Sequence, residues 1–332
     1  MSDKSGEFRV LDKAAIASAL PMSECIDLMK ETMETVSRRR IEMPLRMIMP
    51  VPGSDSHLGI MPGYIESPQV WGTKLICLVP ENPKRGLSSH TGVVLLYDVE
   101  TGQLRALLDA AAITALRTPA ATAAASRVLA RPDATSLAIL GTGEQAHGHF
   151  EALELVHRPT RIFIWGRSRE AATQFRDAVA PATRATVTVC ETVEEAVREA
   201  DVVCSVTAAT DPIIEGRWIA PGTHVNLVGS SIPAKSEIDA DGVAQARYFV
   251  DYRPSAEAQA GELKRAIAAG VVTLDHILGE IGDVHLGLCP GRTDDRDITI
   301  YKSLGVSAQD LTTSQRIYEA ACARDLGQKA AL

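Results

Sequence analysis

Hydrophobic and polar positions form two different patterns along the chain. In the N-terminal part, apolar residues come in short runs such as HLGIMPGYI, VWGTKLICLVP and TGVVLLYDVETGQLRALLD, the last of which contains a Thr-Gly turn between two apolar runs. These runs predict strands joined as hairpins. Residues 21–40 instead show apolar residues at helical spacing and a basic last turn, which predicts a helix.

The pattern changes at AAAITALRTPAATAAASRVLA, which predicts a long alanine-rich helix with Pro119 as either its start or a kink. After it, helical segments such as EEAVREA lie between short β-branched runs. The runs are SLAILG, RIFIWG, TVTVC, DVVCSVT, THVNLVG and YFVD. Strands interleaved with helices predict a doubly wound, Rossmann-type parallel sheet. The fold class is therefore α/β, a parallel sheet plus a mixed α+β, hairpin-rich domain.

Composition narrows the class of protein. A chain of 332 residues is long enough for two domains, and its net charge of −8 disfavours a nucleic-acid partner. The apolar runs are strand-length, so no membrane span is expected. The six cysteines are scattered, with no CxxC or Cys/His cluster, which disfavours both a metal site and disulfides. Most are expected to be buried, reduced thiols in a cytoplasmic protein.

A glycine-rich turn carries the first chemical signal. Gly141 and Gly143, followed by Ala146, come directly after the predicted strand SLAIL and open a predicted helix. In a dinucleotide site the first glycine makes the tight turn and the second lets the pyrophosphate approach the backbone at the helix N-terminus. The turn therefore predicts nucleotide binding. A tight turn that serves only packing remains the alternative.

The end of the next strand bears on the choice of cofactor. An acid at this point would bind the ribose 2′-hydroxyl of NAD, but the strand RIFIW is followed by Gly166 and then Arg167, Ser168 and Arg169. Arginines and a serine can bind a 2′-phosphate, which favours NADPH over NADH. The alternative is that both arginines are solvated and that NADH binds without a carboxylate partner.

Several segments together resemble the ornithine cyclodeaminase/μ-crystallin family. They run in order from about residue 40 to about residue 310 and are MPLRM, GTKLICLVPENPKRGLSSHTGVVLLYDVETG, LDAAAITALRTPAATAAAS, GTGEQA, NLVGSSIPAKSEID and DITIYKSLG. The resemblance implies a homodimer of two-domain subunits. Residues 1–118 with 306–332 would form the substrate-binding and dimerisation domain, and residues 119–305 the Rossmann domain. Family members transfer hydride between a nicotinamide and the imine or α-carbon of an amino acid.

The resemblance also implies roles for individual residues. Arg46, Lys74 and Arg117 match the family's substrate-binding cations, and guanidinium groups suit the carboxylate of a 2-imino acid. Lys74 lies in an apolar run, where burial would lower its pKa and suit it to proton transfer, so it is the catalytic candidate. His90 lies in a loop that the resemblance places near the substrate. The cofactor candidates, besides Gly141, Gly143, Arg167, Ser168 and Arg169, are Arg117, Thr118, Glu144, Gln145, Thr207, Val228, Gly229, Ser230, Lys235 and Ser303.

One departure from the family's pattern selects among its reactions. Ornithine cyclodeaminases carry an aspartate where this chain has Ser231, and a serine can neither pair with an ammonium group nor act as a base near neutral pH. We therefore expect an NAD(P)H-dependent reductase of a small 2-imino acid, reversible as an amino-acid dehydrogenase. Candidate imines are iminosuccinate, pyrroline-2-carboxylate and iminopyruvate. A cyclodeaminase with recycled NAD and a non-catalytic, μ-crystallin-like ligand-binding protein are the alternatives.

Overall fold

A computed structural model describes residues 6–331. Its strands are β1 (Glu7–Leu11), β2 (Ile41–Glu42), β3 (Met47–Pro50), β4 (His57–Ile65), β5 (Val70–Leu78), β6 (His90–Tyr97), β7 (Leu104–Asp109), β8 (Ser136–Leu140), β9 (Arg161–Trp165), β10 (Thr186–Val189), β11 (Val202–Ser205), β12 (His224–Leu227), β13 (Arg247–Val250), β14 (Ile277–Glu280), β15 (Thr299–Lys302) and β16 (Gln328–Ala331). Its α-helices are α1 (Lys13–Ala19), α2 (Met22–Ser37), α3 (Ala110–Leu129), α4 (Glu144–His157), α5 (Arg169–Val179), α6 (Val193–Arg198), α7 (Ala240–Ala244), α8 (Arg253–Gln259), α9 (Gly261–Ala268), α10 (Ile281–His285) and α11 (Ser307–Arg324).

The chain divides into two compact units, Met1–Arg117 with Val306–Leu332 and Thr118–Gly305. The first unit is built on a mostly antiparallel sheet in the order β16-β1-β7-β6-β5-β4-β2, with β3 paired to β4. The predicted hairpins are present, since β4 to β7 pair antiparallel with their neighbours in the chain. Residues 1–5 and 332, which belong to the predicted domain boundaries, lie outside the described residues.

Strand register and glycines bring the returning helix α11 onto the first sheet. On β5, Gly72 and Lys74 point to the same side because side chains alternate along a strand. A Cβ at Gly72 would lie 2.8 Å from Leu311 Cδ2, and one at Gly63 on β4 would lie 2.8 Å from Ser307 Oγ. Both glycines therefore let α11 lie close to the strands, next to Lys74.

The second unit contains a wholly parallel sheet in the order β10-β9-β8-β11-β12-β15-β13-β14. The first strand of this unit along the chain, β8, lies in the interior of the sheet. Its five residues SLAIL are all buried, as a strand covered on both faces requires. Strand order reverses between β8 and β11, which makes their carboxyl ends the topological switch point where such sheets bind ligands. The predicted α/β class with a second, hairpin-rich sheet is confirmed.

Two local expectations need correction. Of the two alternatives for Pro119, a helix start is wrong, because α3 already begins at Ala110 and continues through it. Nor are most cysteines buried: only Cys25 and Cys204 are, whereas Cys77 and Cys322 are exposed. The apolar run around Cys77 is a strand of the first sheet, and its alternation turns this side chain away from the buried face that carries Lys74.

Two findings concern features that residues 6–331 lack. No helix in this part of the chain is long and apolar enough to cross a membrane. Nor do His, Cys, Asp and Glu side chains come together in groups of three or more that could hold a metal ion within these residues.

A buried polar network links the second sheet to its helices. The imidazole of His224 contacts Thr299 Oγ1 at 2.9 Å and Asn226 Oδ1 at 3.1 Å, and Asn226 donates to Ser126 Oγ. Burial, together with the nearby His157 and Arg292, lowers the pKa of His224 to about 3, and burial lowers the pKa of His157 to about 4. Both imidazoles are therefore neutral in the folded chain at neutral pH.

Stability should fall in mild acid because of these histidines. Their pKa values in the folded chain lie below the ordinary 6.5, so between pH 6.5 and pH 4 the unfolded chain binds more protons than the folded chain. Acid therefore favours the unfolded chain. We predict that His224→Gln reduces the pH dependence of the free energy of unfolding by up to about 1.4 kcal/mol per pH unit in this window. Urea unfolding of both proteins at pH 7 and pH 4.5 measures it; an equal slope in both would contradict the prediction.

Candidate active site

A cluster of buried charges lies between β5, α3 and α11 of the first unit. Lys74 Nζ lies 3.0 Å from Asp310 Oδ1, and Arg117 Nε donates to the same oxygen at 2.9 Å. Lys74 also donates to Thr114 Oγ1 at 2.5 Å, and Arg117 Nη1 donates to Gln309 Oε1 at 2.9 Å. Lys74 is 3% exposed and Asp310 is 0% exposed. One carboxylate therefore serves two buried cations.

Electrostatics in this cluster favour binding of an anion. Burial lowers the pKa of Lys74 to about 8; the charge of Asp310 opposes this change, and repulsion from Arg117 and Arg46 adds to it. Although burial raises the pKa of Asp310, the charges of Arg117 and Lys74 hold it below its usual value. Since Asp310 carries one negative charge against the two positive charges of Lys74 and Arg117, this cluster carries surplus positive charge, which a substrate carboxylate would balance.

Helix geometry explains the arrangement. The carboxylate of Asp109 caps α3 by accepting from Ala112 N at 2.9 Å, and Thr114 and Arg117, three residues apart, then share one helix face. Gln309 and Asp310 lie in the first turn of α11. Sequence reasoning found the two cations but missed Thr114, Gln309 and Asp310. The segment SAQDLTTSQ reads as polar, and nothing in its pattern indicates that all of it is buried.

The other two substrate candidates lie in the same unit. The position of Arg46 is close enough for its charge to depress the pKa of Lys74. His90 lies at the start of β6, where Ser89 Oγ contacts its Nδ1 at 2.9 Å. Although the residue is exposed, desolvation by the surrounding protein, followed by the charges of Lys74 and His57, lowers its pKa.

In the second unit, the glycine turn has the geometry that a dinucleotide needs. Gly141 has φ of 117°, a conformation that favours glycine, and a Cβ there would lie 2.9 Å from Val206 O. Gly143 is the N-cap of α4, and a Cβ added to it would meet nothing within 4 Å. Packing therefore does not require a glycine at this residue, and its absent side chain leaves the helix N-terminus open to a phosphate. Glu144 is exposed in the first turn.

Several buried polar atoms of this unit lack a protein partner. Thr118 Oγ1, Gln145 Oε1 and Ser303 Oγ have no hydrogen bond within the described part of the chain. Buried polar groups are normally paired, so each unpaired group is open to an ordered water or a ligand. All three residues were predicted from the sequence to contact the cofactor, and their free hydrogen-bonding capacity fits a cofactor with phosphate, ribose and amide groups.

The segment after β9 shows which groups a 2′-phosphate would meet. Ser168 caps α5 by accepting from Ala171 N at 3.2 Å, so its hydroxyl oxygen is already engaged. Arg169 forms an ion pair with Glu191, whereas Arg167 is exposed beside it. Arg167 is therefore the candidate cation with its charge most open to a phosphate.

The remaining candidates follow the carboxyl ends of the parallel strands. Thr207 follows β11, the residues 228–230 follow β12, and Ser303 follows β15. Ser230 Oγ donates to the carbonyl of Lys235 at 2.9 Å, which closes the loop that carries Ser231. These residues therefore lie at the carboxyl ends of the parallel strands, where doubly wound folds bind nucleotides.

Comparison with known proteins places this geometry in a family. The sequence model described as the ornithine cyclodeaminase/mu-crystallin family matches residues 7–325. The mouse ketimine reductase mu-crystallin is 35% identical over 279 residues, 84% of this chain and 85% of that protein. The structure of a Thermococcus litoralis Δ1-pyrroline-2-carboxylate reductase with NADH and L-proline matches with a TM-score of 0.94 at 29% identity, over 97% of this chain and 99% of that one. An archaeal alanine dehydrogenase dimer with bound NAD matches with a TM-score of 0.92 at 29% identity, over 98% and 99%.

The charge of Asp310 should set the pKa of Lys74. Because the carboxylate opposes the effect of burial, we predict that Asp310→Asn lowers the pKa of Lys74 from about 8 by roughly 1 to 3 pH units. NMR titration of the Lys74 side chain in lysine-labelled protein measures this change. Asp109→Asn, which keeps the helix cap and does not contact Lys74, is the matched control. A Lys74 titration that is unchanged in Asp310→Asn would contradict the prediction.

Proposed function

The chain belongs to the ornithine cyclodeaminase/mu-crystallin family, and we propose that it is an NAD(P)H-dependent reductase of a small 2-imino acid. Its product is an L-amino acid, and the reaction is reversible in the manner of an amino-acid dehydrogenase. The observation that carries the proposal is the pair Lys74 and Arg117 on one oxygen of Asp310, which leaves buried positive charge for an anionic substrate. Relatives that act on ketimines and on pyrroline-2-carboxylate support the same chemistry.

In this proposal the arginines bind the substrate carboxylate, and the lysine acts on the substrate nitrogen. Arg117, fixed by Asp310 and Gln309, binds the substrate carboxylate together with Arg46, and the planar guanidinium holds it in one orientation. Lys74 governs protonation of the substrate nitrogen. A pKa of about 8 suits this role, because the ammonium group is present at neutral pH and gives up its proton readily.

The second unit has the residues to bind the cofactor. Gly141 and Gly143 would admit the pyrophosphate at the N-terminus of α4, and the unpaired Thr118, Gln145 and Ser303 would bind its polar groups. When bound, the reduced nicotinamide supplies the hydride. The proposal keeps the predicted preference for NADPH through Arg167, although two related structures contain NADH and NAD.

Ser231 argues against cyclodeamination. A cyclodeaminase must hold the side-chain ammonium of ornithine or lysine, and the serine carries no charge to pair with it. A simple reduction needs only the carboxylate anchor, a proton donor and the cofactor. The intact Lys74–Asp310–Arg117 cluster likewise argues against a protein that only binds ligands, because a binding role needs no lysine of lowered pKa.

We also retain the homodimer and the cytoplasmic location in the proposal. Around β3 an apolar stretch is exposed, with Leu45 at 44%, Met47 at 62%, Met49 at 53% and Val51 at 48%. Exposed apolar runs on a strand mark an association surface, and the related archaeal alanine dehydrogenase is a dimer. The cytoplasmic location rests on the free thiols.

A substrate panel tests the function. We predict oxidation of NADPH or NADH, followed at 340 nm, with at least one of pyrroline-2-carboxylate, oxaloacetate plus ammonia, and pyruvate plus methylamine. Lys74→Ala should abolish this turnover and leave the cofactor Kd nearly unchanged, because Lys74 is proposed to act on the substrate and not to bind the cofactor. Lys30→Ala, a partly exposed lysine of the same unit, is the control. Release of ammonia from ornithine or lysine without net absorbance change would instead support a cyclodeaminase.

The cofactor preference has its own test. Arg167→Ala should raise the KM for NADPH roughly tenfold and leave the KM for NADH unchanged, since only NADPH carries the 2′-phosphate. Arg176→Ala, which replaces a partly exposed arginine on the neighbouring helix α5, should change neither value. Equal KM values for NADPH in wild type and Arg167→Ala would remove Arg167 from the cofactor site.

A further inference from the structure

A buried glutamate that the predicted site does not include ties two strand-end loops together. Glu237 is 0% exposed, and its carboxylate accepts four hydrogen bonds. Its Oε1 accepts from Ser205 Oγ at 2.6 Å, Thr207 N at 2.9 Å and Thr207 Oγ1 at 2.7 Å, and its Oε2 accepts from Gly229 N at 2.8 Å. One side chain thereby joins the carboxyl ends of β11 and β12.

Glycine makes this junction possible. A Cβ at Gly229 would lie 2.0 Å from Thr207 O, 2.5 Å from Thr207 N and 2.6 Å from Glu237 Oε1. Any larger residue would push the two loops apart and break the contacts of the carboxylate. The loops after β11 and β12 can therefore lie this close together because residue 229 is a glycine and the buried carboxylate of Glu237 accepts hydrogen bonds from both loops.

A second buried charge, Lys302, contacts the same loop. Lys302, at the end of β15, is 0% exposed and donates to the carbonyl of Ser230. Its ammonium group is 2.9 Å from Glu262 Oε1 in the first turn of α9. A Cβ at Gly261 would lie 1.8 Å from the carbonyl oxygen of Lys235, so α9 also lies directly against the 232–235 segment.

We propose that Glu237 and Lys302 are positioning residues that fix the backbone of residues 207 and 228–230 for cofactor binding. This rests on the proposed function, in which those residues contact the nicotinamide cofactor. Neither side chain needs to touch the ligand. A carboxylate with four donors and an ammonium group on a carbonyl define the loops more tightly than backbone hydrogen bonds alone.

The same sheet contains a matched control at the amino ends of its strands. Asp201, near the amino ends of the strands, also accepts four hydrogen bonds. They come from Thr135 N, Ser136 N, Ser136 Oγ and Arg131 Nη2. Replacing either acid by its amide removes a charged acceptor and puts an NH2 group against donors. Both replacements should lower the thermal midpoint, but only the one at the carboxyl edge should affect cofactor binding.

The experiment is titration of NADPH and NADH by protein fluorescence, with the thermal midpoint measured on the same samples. For Glu237→Gln we expect a roughly 10- to 100-fold rise in the cofactor Kd, the range for losing hydrogen bonds to a charged group. Lys302→Met should raise the Kd in the same direction, and Asp201→Asn should leave it at the wild-type value. In steady state, the KM for the cofactor should rise while the KM for the imino acid stays constant. If Glu237→Gln does not fold, Ser205→Ala removes one of the four donors and should give a smaller rise.

The outcomes separate this inference from the proposed function. Wild-type protein that binds and oxidises NADPH or NADH, together with folded variants of unchanged Kd, would overturn the inference alone. An equal rise in Kd for Asp201→Asn would also overturn it, because it would show general loosening of the sheet. Wild-type protein that binds neither nucleotide would overturn both.

Discussion

A single carboxylate oxygen, Asp310 Oδ1, organises the chemistry of the first unit. It lies within 3.0 Å of the Lys74 ammonium and accepts a 2.9 Å hydrogen bond from Arg117 Nε, with all three side chains buried. Removing two cations from water is costly, and their attraction to one anion offsets that cost only when the geometry is close and hydrogen bonds satisfy the rest. Lys74, Arg117 and Asp310 come from distant parts of the chain, so the C-terminal helix must return to the N-terminal sheet for the cluster to exist.

Charge balance in the cluster then connects stability with function. A cluster with more buried cations than anions is incomplete without a ligand, because its surplus charge is neutralised only when an anion binds. The same geometry orients Arg117, and the charge of Asp310 opposes the burial that lowers the pKa of Lys74 to about 8. In the proposed function, substrate binding and proton transfer therefore depend on the same three side chains.

Sequence patterns predicted the features that depend on neighbouring residues. The buried strand SLAIL, the turn at Gly141 and the helix after it are local, and each was predicted in the right order. The family resemblance supplied both Lys74 and Arg117, and the apolar run around Lys74 predicted that its side chain is buried. Asp310 could not be found in this way, because its burial depends on how the whole chain folds and α11 shows no apolar stripe at its start. Of the two alternatives for Pro119, the helix start is wrong because α3 extends in both directions around this residue.

Each unit contains buried polar groups that the protein does not fully pair. In the first unit, the two buried cations Lys74 and Arg117 outnumber the one carboxylate, Asp310, that they share. In the second unit, Thr118, Gln145 and Ser303 each have a buried oxygen without a hydrogen-bond partner in the described residues. Since folding penalises both conditions, a chain retains them where a ligand restores the balance. An anion suits the first set, and a neutral or anionic group rich in oxygen and amide atoms suits the second. Ser231 carries no charge, so in the proposed function the substrate's side chain receives no ionic partner from this residue, and recognition rests on the carboxylate and nitrogen that every 2-imino acid shares.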